Sequence, residues 1–268
     1  MVSRPCAGIS PGGLVHGRGV KTGPVARPVA RPVPPAAMVL AAGLGRRMRP
    51  LTATRPKPLV EVAGRALLDR ALDLLRAGGV GRAVVNVHYM ADRVEAHLRF
   101  RNTGLEIAIS DERERLLETG GGIAKALPLI GCDPFLAVNS DNLFVEGPVP
   151  AVALAAERWD PAEMDALLLL VPLARANCHR GPGDFHMDGM GRLRRRRPGR
   201  VAPFVFTGLQ MLSAGLFDGV AVEPFSMNRL WDRAAEAGRL YGLVHPGLWF
   251  DVGTAAAVAE TEALLERL

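Results

Sequence analysis

A chain of 268 residues, about half of them apolar, is long enough for one large α/β domain or two small ones. Its net charge of +6 suggests a nucleic-acid ligand, but position removes that class: Arg4, Arg18, Lys21, Arg27 and Arg31 stand in residues 1–37 with no acidic residue, leaving the remainder close to neutral. Few aromatics argue against a single-strand stacking platform, and no apolar run approaches the 18 or so residues of a membrane span, so neither nucleic acid nor membrane is expected as a partner.

Residues 1–35 are rich in Pro, Gly and Arg and hold the near-repeat VARPVARPVPP. Such a stretch buries too little apolar surface to offset its ordering entropy and reads as a disordered or polyproline-like tail, with residues 36–268 as the folded domain. Cys6, Cys132 and Cys178 are too scattered for a disulfide framework or a zinc site, and no secretory h-region precedes them, which points to a cytoplasmic setting.

From Ala36 the pattern alternates. Ala37–Ala42 reads as a buried strand, 66–77 as a helix ending at Gly78-Gly79, 82–87 as a strand, 91–100 as a helix and 105–109 as a strand. A glycine turn then opens a helix over 116–130, strand 134–138 runs into Asn139-Ser140-Asp141, and helix 149–158 is followed by strand 165–171. This alternation predicts an α/β fold with a doubly wound, mostly parallel sheet. Short strands at 184–187, 193–194 and 203–206 suggest a small β-rich substrate part. Helices follow at 226–237 and 255–265, with strands 240–244 and 248–250 between them, the last ending in Asp251.

The stretch MVLAAGLGRRMRPLTATRPKPL (38–59) carries the chemistry. A buried strand breaks into Gly43 and Gly45, where backbone N–H groups can approach a phosphate, and cations follow. It is neither a dinucleotide fingerprint, since Met48 stands where a third glycine is needed and Pro50, Pro56 and Pro58 forbid the helix, nor a Walker A loop, since Met48-Arg49-Pro50 replaces Gly-Lys-Ser/Thr. Lys57, extended between two prolines, has a fixed direction. Asp141 and Asp251 each close an apolar strand. Brought together, they suit Mg²⁺, which binds through one or two carboxylates plus substrate phosphates. The six histidines have no metal-ligand spacing, and no nucleophile elbow is present. Arg194 to Arg197 is a solvated run or an anion contact.

LAAGLGRRMRPLT (40–52) with PKPL (56–59), followed in order by ETGGG (118–122), NSD (139–141) and DVGT (251–254), resembles the sugar-1-phosphate nucleotidyltransferases over about residues 36–268. The resemblance implies a Rossmann-like, GT-A-like nucleotidyltransferase domain. It implies Arg47 on the β/γ-phosphates, Lys57 on the α-phosphate and sugar phosphate, and Asp141, also catalytic, with Asp251 on Mg²⁺. Leu40, Ala41, Ala42, Gly43, Gly45 and Asn139 would then line the nucleotide, with Gly120, Gly121 and Gly122 near its base and ribose. Arg46 and Ser140 depart from the family pattern, and Arg196-Arg197-Pro198 replaces its Glu-Lys-Pro motif. Arg196, Arg197 and Asn228 are the expected sugar contacts, with Arg196 facing a sugar carboxylate.

The later half is most similar to members that uridylylate N-acetylmuramate 1-phosphate in cell-wall recycling. The implied partners are a nucleoside triphosphate, UTP favoured, and a sugar 1-phosphate. Transfer of a guanylyl or uridylyl group to mannose-, glucose- or N-acetylglucosamine 1-phosphate, or a non-catalytic sugar-nucleotide sensor, remain the alternatives. Oligomeric state is not legible.

Overall fold

The computed structural model describes residues 32–101 and 103–268. Residues 1–31 of the expected tail lie outside the described residues. Its expected end is corrected, because 32–35 already belong to the fold. Val33 packs against the core, Pro34 is buried, and the Pro35 carbonyl accepts the N–H groups of Gly81 and Arg82, each at 3.0 Å.

In chain order the elements are β1 (Ala36–Leu40), β2 (Glu61–Val62), β3 (Arg65–Ala66), α1 (Leu67–Ala77), β4 (Arg82–Val87), α2 (Ala91–Phe100), β5 (Glu106–Asp111), α3 (Glu118–Ile130), β6 (Phe135–Asn139) and β7 (Asn142–Val145). Then come α4 (Ala151–Arg158), β8 (Ala166–Pro172), β9 (Ala176–Asn177), β10 (Phe185–Met187), β11 (Leu193–Arg195), β12 (Phe204–Leu212), α5 (Asn228–Glu236), β13 (Leu240–Val244), β14 (Leu248–Asp251) and α6 (Ala255–Leu265).

One large sheet holds β5, β4, β1 and β6 side by side and parallel. Beyond β6 come β12, β8 and β13, while β10 and β11 pair off the start of β12. Only β12 and β11 run against the rest, so the sheet is mixed but mostly parallel. A second sheet, β7–β14–β9, follows directly from the end of β6.

Both faces of the large sheet are covered, and β1 shows why its sequence is apolar without alternation. Ala37 and Val39 pack with α1, α2 and α4 residues such as Leu68, Val94 and Val152. Ala36 and Met38 point the other way, toward Ile123 of α3 and Leu230 of α5. A strand buried on both sides has no polar face to show.

The strand expected at 203–206 runs on to Leu212 and lies inside the main sheet. Gly208, at φ +91°, makes a register shift between Phe206 and Gln210. It bends the strand and does not end it, because Leu209, Met211 and Leu212 are still buried beyond it. The β-rich part is therefore an outgrowth of the main sheet.

Candidate active site

The carboxyl ends of parallel strands form the ligand crevice of an open α/β sheet, and here three strand ends meet. Leu40 and Asn139 are register partners at the ends of β1 and β6. Asp251, at the end of β14, pairs with Asn142, and the N–H of Val252 donates to the Asp141 carbonyl at 3.2 Å. The two aspartates, far apart in sequence, thus sit on adjoining backbone.

After β1 the chain passes through Gly45, whose φ of +62° opens a short 3₁₀ turn at Arg46–Met48. A Cβ at Gly45 would lie 2.9 Å from Thr52 Cγ2 and 3.0 Å from Lys57 Cβ, so the loop closes tightly on the lysine. The Thr52 hydroxyl fastens the closure by donating to the Gly45 carbonyl at 2.8 Å. Lys57 starts another 3₁₀ turn after the extended Pro56, and its ammonium forms an ion pair with Asp141 Oδ2.

Two clefts open on this arrangement and share Gly43, Lys57 and Leu116. One, of about 370 Å³, is lined by Leu40, Ala41, Ala42, Asn139 and Asp141 among others. The other, of about 380 Å³, takes in Gly45, Arg46, Arg47 and Gly253. Gly253 matters through what it lacks: a Cβ there would stand 3.0 Å from Asp251 Oδ1 and 3.4 Å from Arg47 Nη2. Arg47 makes no ion pair among the described residues. Lys57 and Asp141 thus stand at one cleft and Arg47 at the other, with Asp251 Oδ1 and Arg47 on the same side of Gly253.

Ser140, an unexpected residue at this turn, lines the first cleft with its hydroxyl engaged by backbone. It donates to the Leu40 carbonyl at 2.8 Å and ties the two strand ends together.

Some expected contacts are arranged otherwise. The N–H groups of Ala41 and Ala42 are taken by Asn86 Oδ1 at 2.6 and 3.3 Å, and are not free for phosphate. Gly120, Gly121 and Gly122 are buried in the first turns of α3 and do not line either cleft. Gly120 and Gly121 donate to the Phe225 carbonyl at 2.8 and 3.3 Å. Side chains there would collide with Phe225, the Glu223 carbonyl and the Glu112–Asn86 pair. Close packing explains these glycines, and Glu118 and Thr119 line the first cleft in their place.

Arg196 and Asn228 line a third cleft of about 570 Å³, with Asp184, Arg195, Phe206 and Trp231. Arg196 does not point a free fork into it. Its Nε donates to the Gly183 carbonyl at 2.8 Å, and its Nη1 reaches the Arg197 and Arg200 carbonyls at 3.2 and 3.0 Å. Arg197 borders a separate hollow with His186, Arg194 and Arg200. Asn228 lies two positions after Ser226, which lines the first cleft.

Three participants were not legible. Asn86 and Glu112 are buried, joined at 2.7 Å, and Glu112 Oε2 accepts the Leu117 N–H at 2.9 Å. This relay locks the loop after β1 to the start of α3. A polar residue inside the apolar strand RAVVNV was its one signal. His179 Nδ1 bonds Asp251 Oδ2 at 2.9 Å, and no spacing in the sequence announces that contact.

No group of three or more His, Cys, Asp or Glu side chains among the described residues could hold a metal alone. Asp141 and Asp251 offer two carboxylates beside a phosphate-shaped loop, a donor set that fits a hard ion completing its shell with phosphate and water. No helix among the described residues is long and apolar enough to cross a membrane.

Known proteins resemble the chain in sequence and in fold. The family model described as Nucleotidyl transferase matches residues 36–177. The N-acetylmuramate alpha-1-phosphate uridylyltransferase of Caulobacter vibrioides (strain ATCC 19089 / CIP 103742 / CB 15) is 47% identical over 235 residues, covering 87% of this chain and 97% of the relative. The protein so named from Neisseria meningitidis serogroup B (strain ATCC BAA-335 / MC58) is 37% identical, covering 85% and 97%. In fold, the chain is similar to the inositol-1-phosphate CTP transferase from T. maritima, with a TM-score of 0.71 at 19% identity over 88% of this chain and 97% of that one. Sequence, topology and the meeting of three strand ends concur, and the chain belongs to the nucleotidyl transferase family, among its sugar-1-phosphate nucleotidyltransferases.

Proposed function

We propose that the chain transfers UMP from UTP to N-acetylmuramate 1-phosphate and releases pyrophosphate. The carrying observation is the Lys57–Asp141 pair set between the Gly-rich loop and the end of β14, where Asp251 adjoins it. The choice of uridine and of N-acetylmuramate rests on the two relatives of that name, each covered nearly end to end.

A sugar-phosphate oxygen attacks the α-phosphorus in line. The bond to the bridging oxygen breaks, and its electron pair leaves with pyrophosphate. A phosphate monoester dianion is already nucleophilic, so positioning and charge neutralisation suffice without a side-chain base. Lys57 balances the charge growing on the α-phosphate, and Arg47 steadies the departing pyrophosphate. Asp141 and Asp251 are the residues that would hold Mg²⁺, which when bound neutralises phosphate charge. The third cleft, whose wall residue Asn228 lies two positions after Ser226 of the first, would take the sugar. UTP is a cytoplasmic metabolite, and we place the protein there.

Pyrophosphate release measured over four nucleotides and four sugar 1-phosphates tests the reading. UTP with N-acetylmuramate 1-phosphate is expected to turn over fastest, and Asp141→Ala to lower that rate by about 10²–10³. A faster rate with GTP and mannose 1-phosphate would replace the substrates, and no release from any pair would remove the activity.

A further inference from the structure

Asp251 is held by a residue that reaches it from another strand. A carboxylate only accepts hydrogen bonds, so the proton shared between His179 and Asp251 Oδ2 sits on Nδ1. The other ring nitrogen, Nε2, is buried with no hydrogen-bond partner. It fills a slot that exists because residue 181 is glycine: a Cβ there would stand 2.5 Å from Nε2. Trp249 flanks the ring at 6.3 Å between centroids.

The backbone is bent to bring this ring in. β9 pairs in parallel with Trp249 and Phe250 of β14, so the residues after β9 travel beside Asp251. Asn177 fixes the register by donating from Nδ2 to the Trp249 carbonyl at 2.9 Å. Cys178 then adopts φ +61° and swings His179 across. A non-glycine residue in that region is strained and persists where its surroundings demand it. The cysteine packs against the apolar cluster that holds Leu143, Phe250 and Val252, and its sulfur meets Thr261 Oγ1 at 3.4 Å. The same turn of the backbone carries the next residue to Asp251.

With Oδ2 committed to His179, Oδ1 is the oxygen left over. It faces the open side of Gly253, where Arg47 Nη2 also lies. We propose that His179 is a positioning residue that holds the Asp251 carboxylate with Oδ1 turned toward the metal-bound triphosphate, while itself touching neither. This rests on the reading of Asp251 as a metal-holding residue. Metal-ligating carboxylates are oriented by such outer partners, whose removal typically weakens metal affinity about 10–100-fold.

Calorimetric titration of UTP into the protein, with Mg²⁺ and again with EDTA, gives the metal-dependent gain in nucleotide affinity. His179→Phe is expected to reduce that gain about 10-fold or more and to leave the EDTA value unchanged. His179→Asn, whose amide can donate to Oδ2, should recover most of it. His179→Ala supplies the same reading if the phenylalanine variant does not fold. A His179→Phe protein that keeps the full gain, or loses affinity equally in both arms, overturns the proposal. Asp251→Asn separates the two ideas: if it abolishes the gain while His179→Phe does not, only the positioning role falls, and if it has no effect, the metal reading falls with it.

Discussion

At the scale of single residues, the site depends on where charges are fixed. The Lys57 ammonium lies mostly buried against Asp141, with 14% of the lysine side chain and 24% of the aspartate exposed. Pro56 and Pro58 set the backbone, and the Cβ-less face of Gly45 sits against Lys57 Cβ. A longer, planar guanidinium does not fit a place shaped for a point charge. Lys57→Ala and Lys57→Arg are therefore both expected to lower turnover by about 10²–10³ with an unchanged circular dichroism spectrum. Near-normal turnover in the arginine variant would mean that charge alone matters there. Arg196 carries the opposite expectation. Its guanidinium braces the 183–200 loop through three carbonyls, so Arg196→Ala should raise KM to the same degree for N-acetylmuramate and N-acetylglucosamine 1-phosphates. A loss confined to the first would restore the arginine as a reader of the sugar carboxylate.

Between elements, the Asn86–Glu112 relay connects three pieces that never adjoin in sequence: β4, the loop after β1, and the start of α3. Asn86→Leu keeps the branched shape and removes every polar contact at once. It leaves the Ala41 N–H and Glu112 Oε1 buried without their partner, at on the order of 1–3 kcal/mol for each orphaned group. The variant should unfold at lower urea and bind UTP more weakly, because the loop it braces is the phosphate loop. Unchanged stability would show that water replaces the amide. This relay also marks the limit of what the sequence discloses. Helix and strand periods placed β4 and α2 at their observed ends, because a buried apolar face repeats along the chain. The strand expected at 203–206 is shorter than the one observed, because Gly208 reads as a breaker wherever its neighbours' burial is unseen. Asn86 and His179 are single polar residues with distant partners, and no period encodes such a pairing. The glycines at 120–122 were legible as a motif, but their role was not, since packing against 223–225 depends on a segment a hundred residues away.

Taken as a whole, the molecule joins a large sheet to a small one, and His245 sits at the joint. It follows β13, its N–H donates to the Leu170 carbonyl of β8 at 2.8 Å, and its ring meets Phe144 of β7 edge-on at 5.6 Å. The side chain is fully buried, and neither ring nitrogen has a well-formed partner. Burial outweighs the opposing backbone contacts of Val145 and Leu248 and, with Arg175 adding to it, pushes its pKa below the ordinary histidine value. The unfolded chain therefore binds a proton more readily than the fold does. Stability should fall as pH drops below about 6.5 and level off once below the lowered folded value. Glu146, next to β7, acts in the opposite sense: burial raises its carboxyl pKa, so the fold gains relative to the unfolded chain as that group takes up its proton. The two tendencies are separated by comparing proteins that differ at one position. Urea unfolding of wild type and His245→Gln at about pH 7.5 and about pH 5 should show the wild type losing more stability on acidification than the variant. Parallel losses would mean that the buried imidazole takes up its proton without disturbing the joint between the sheets.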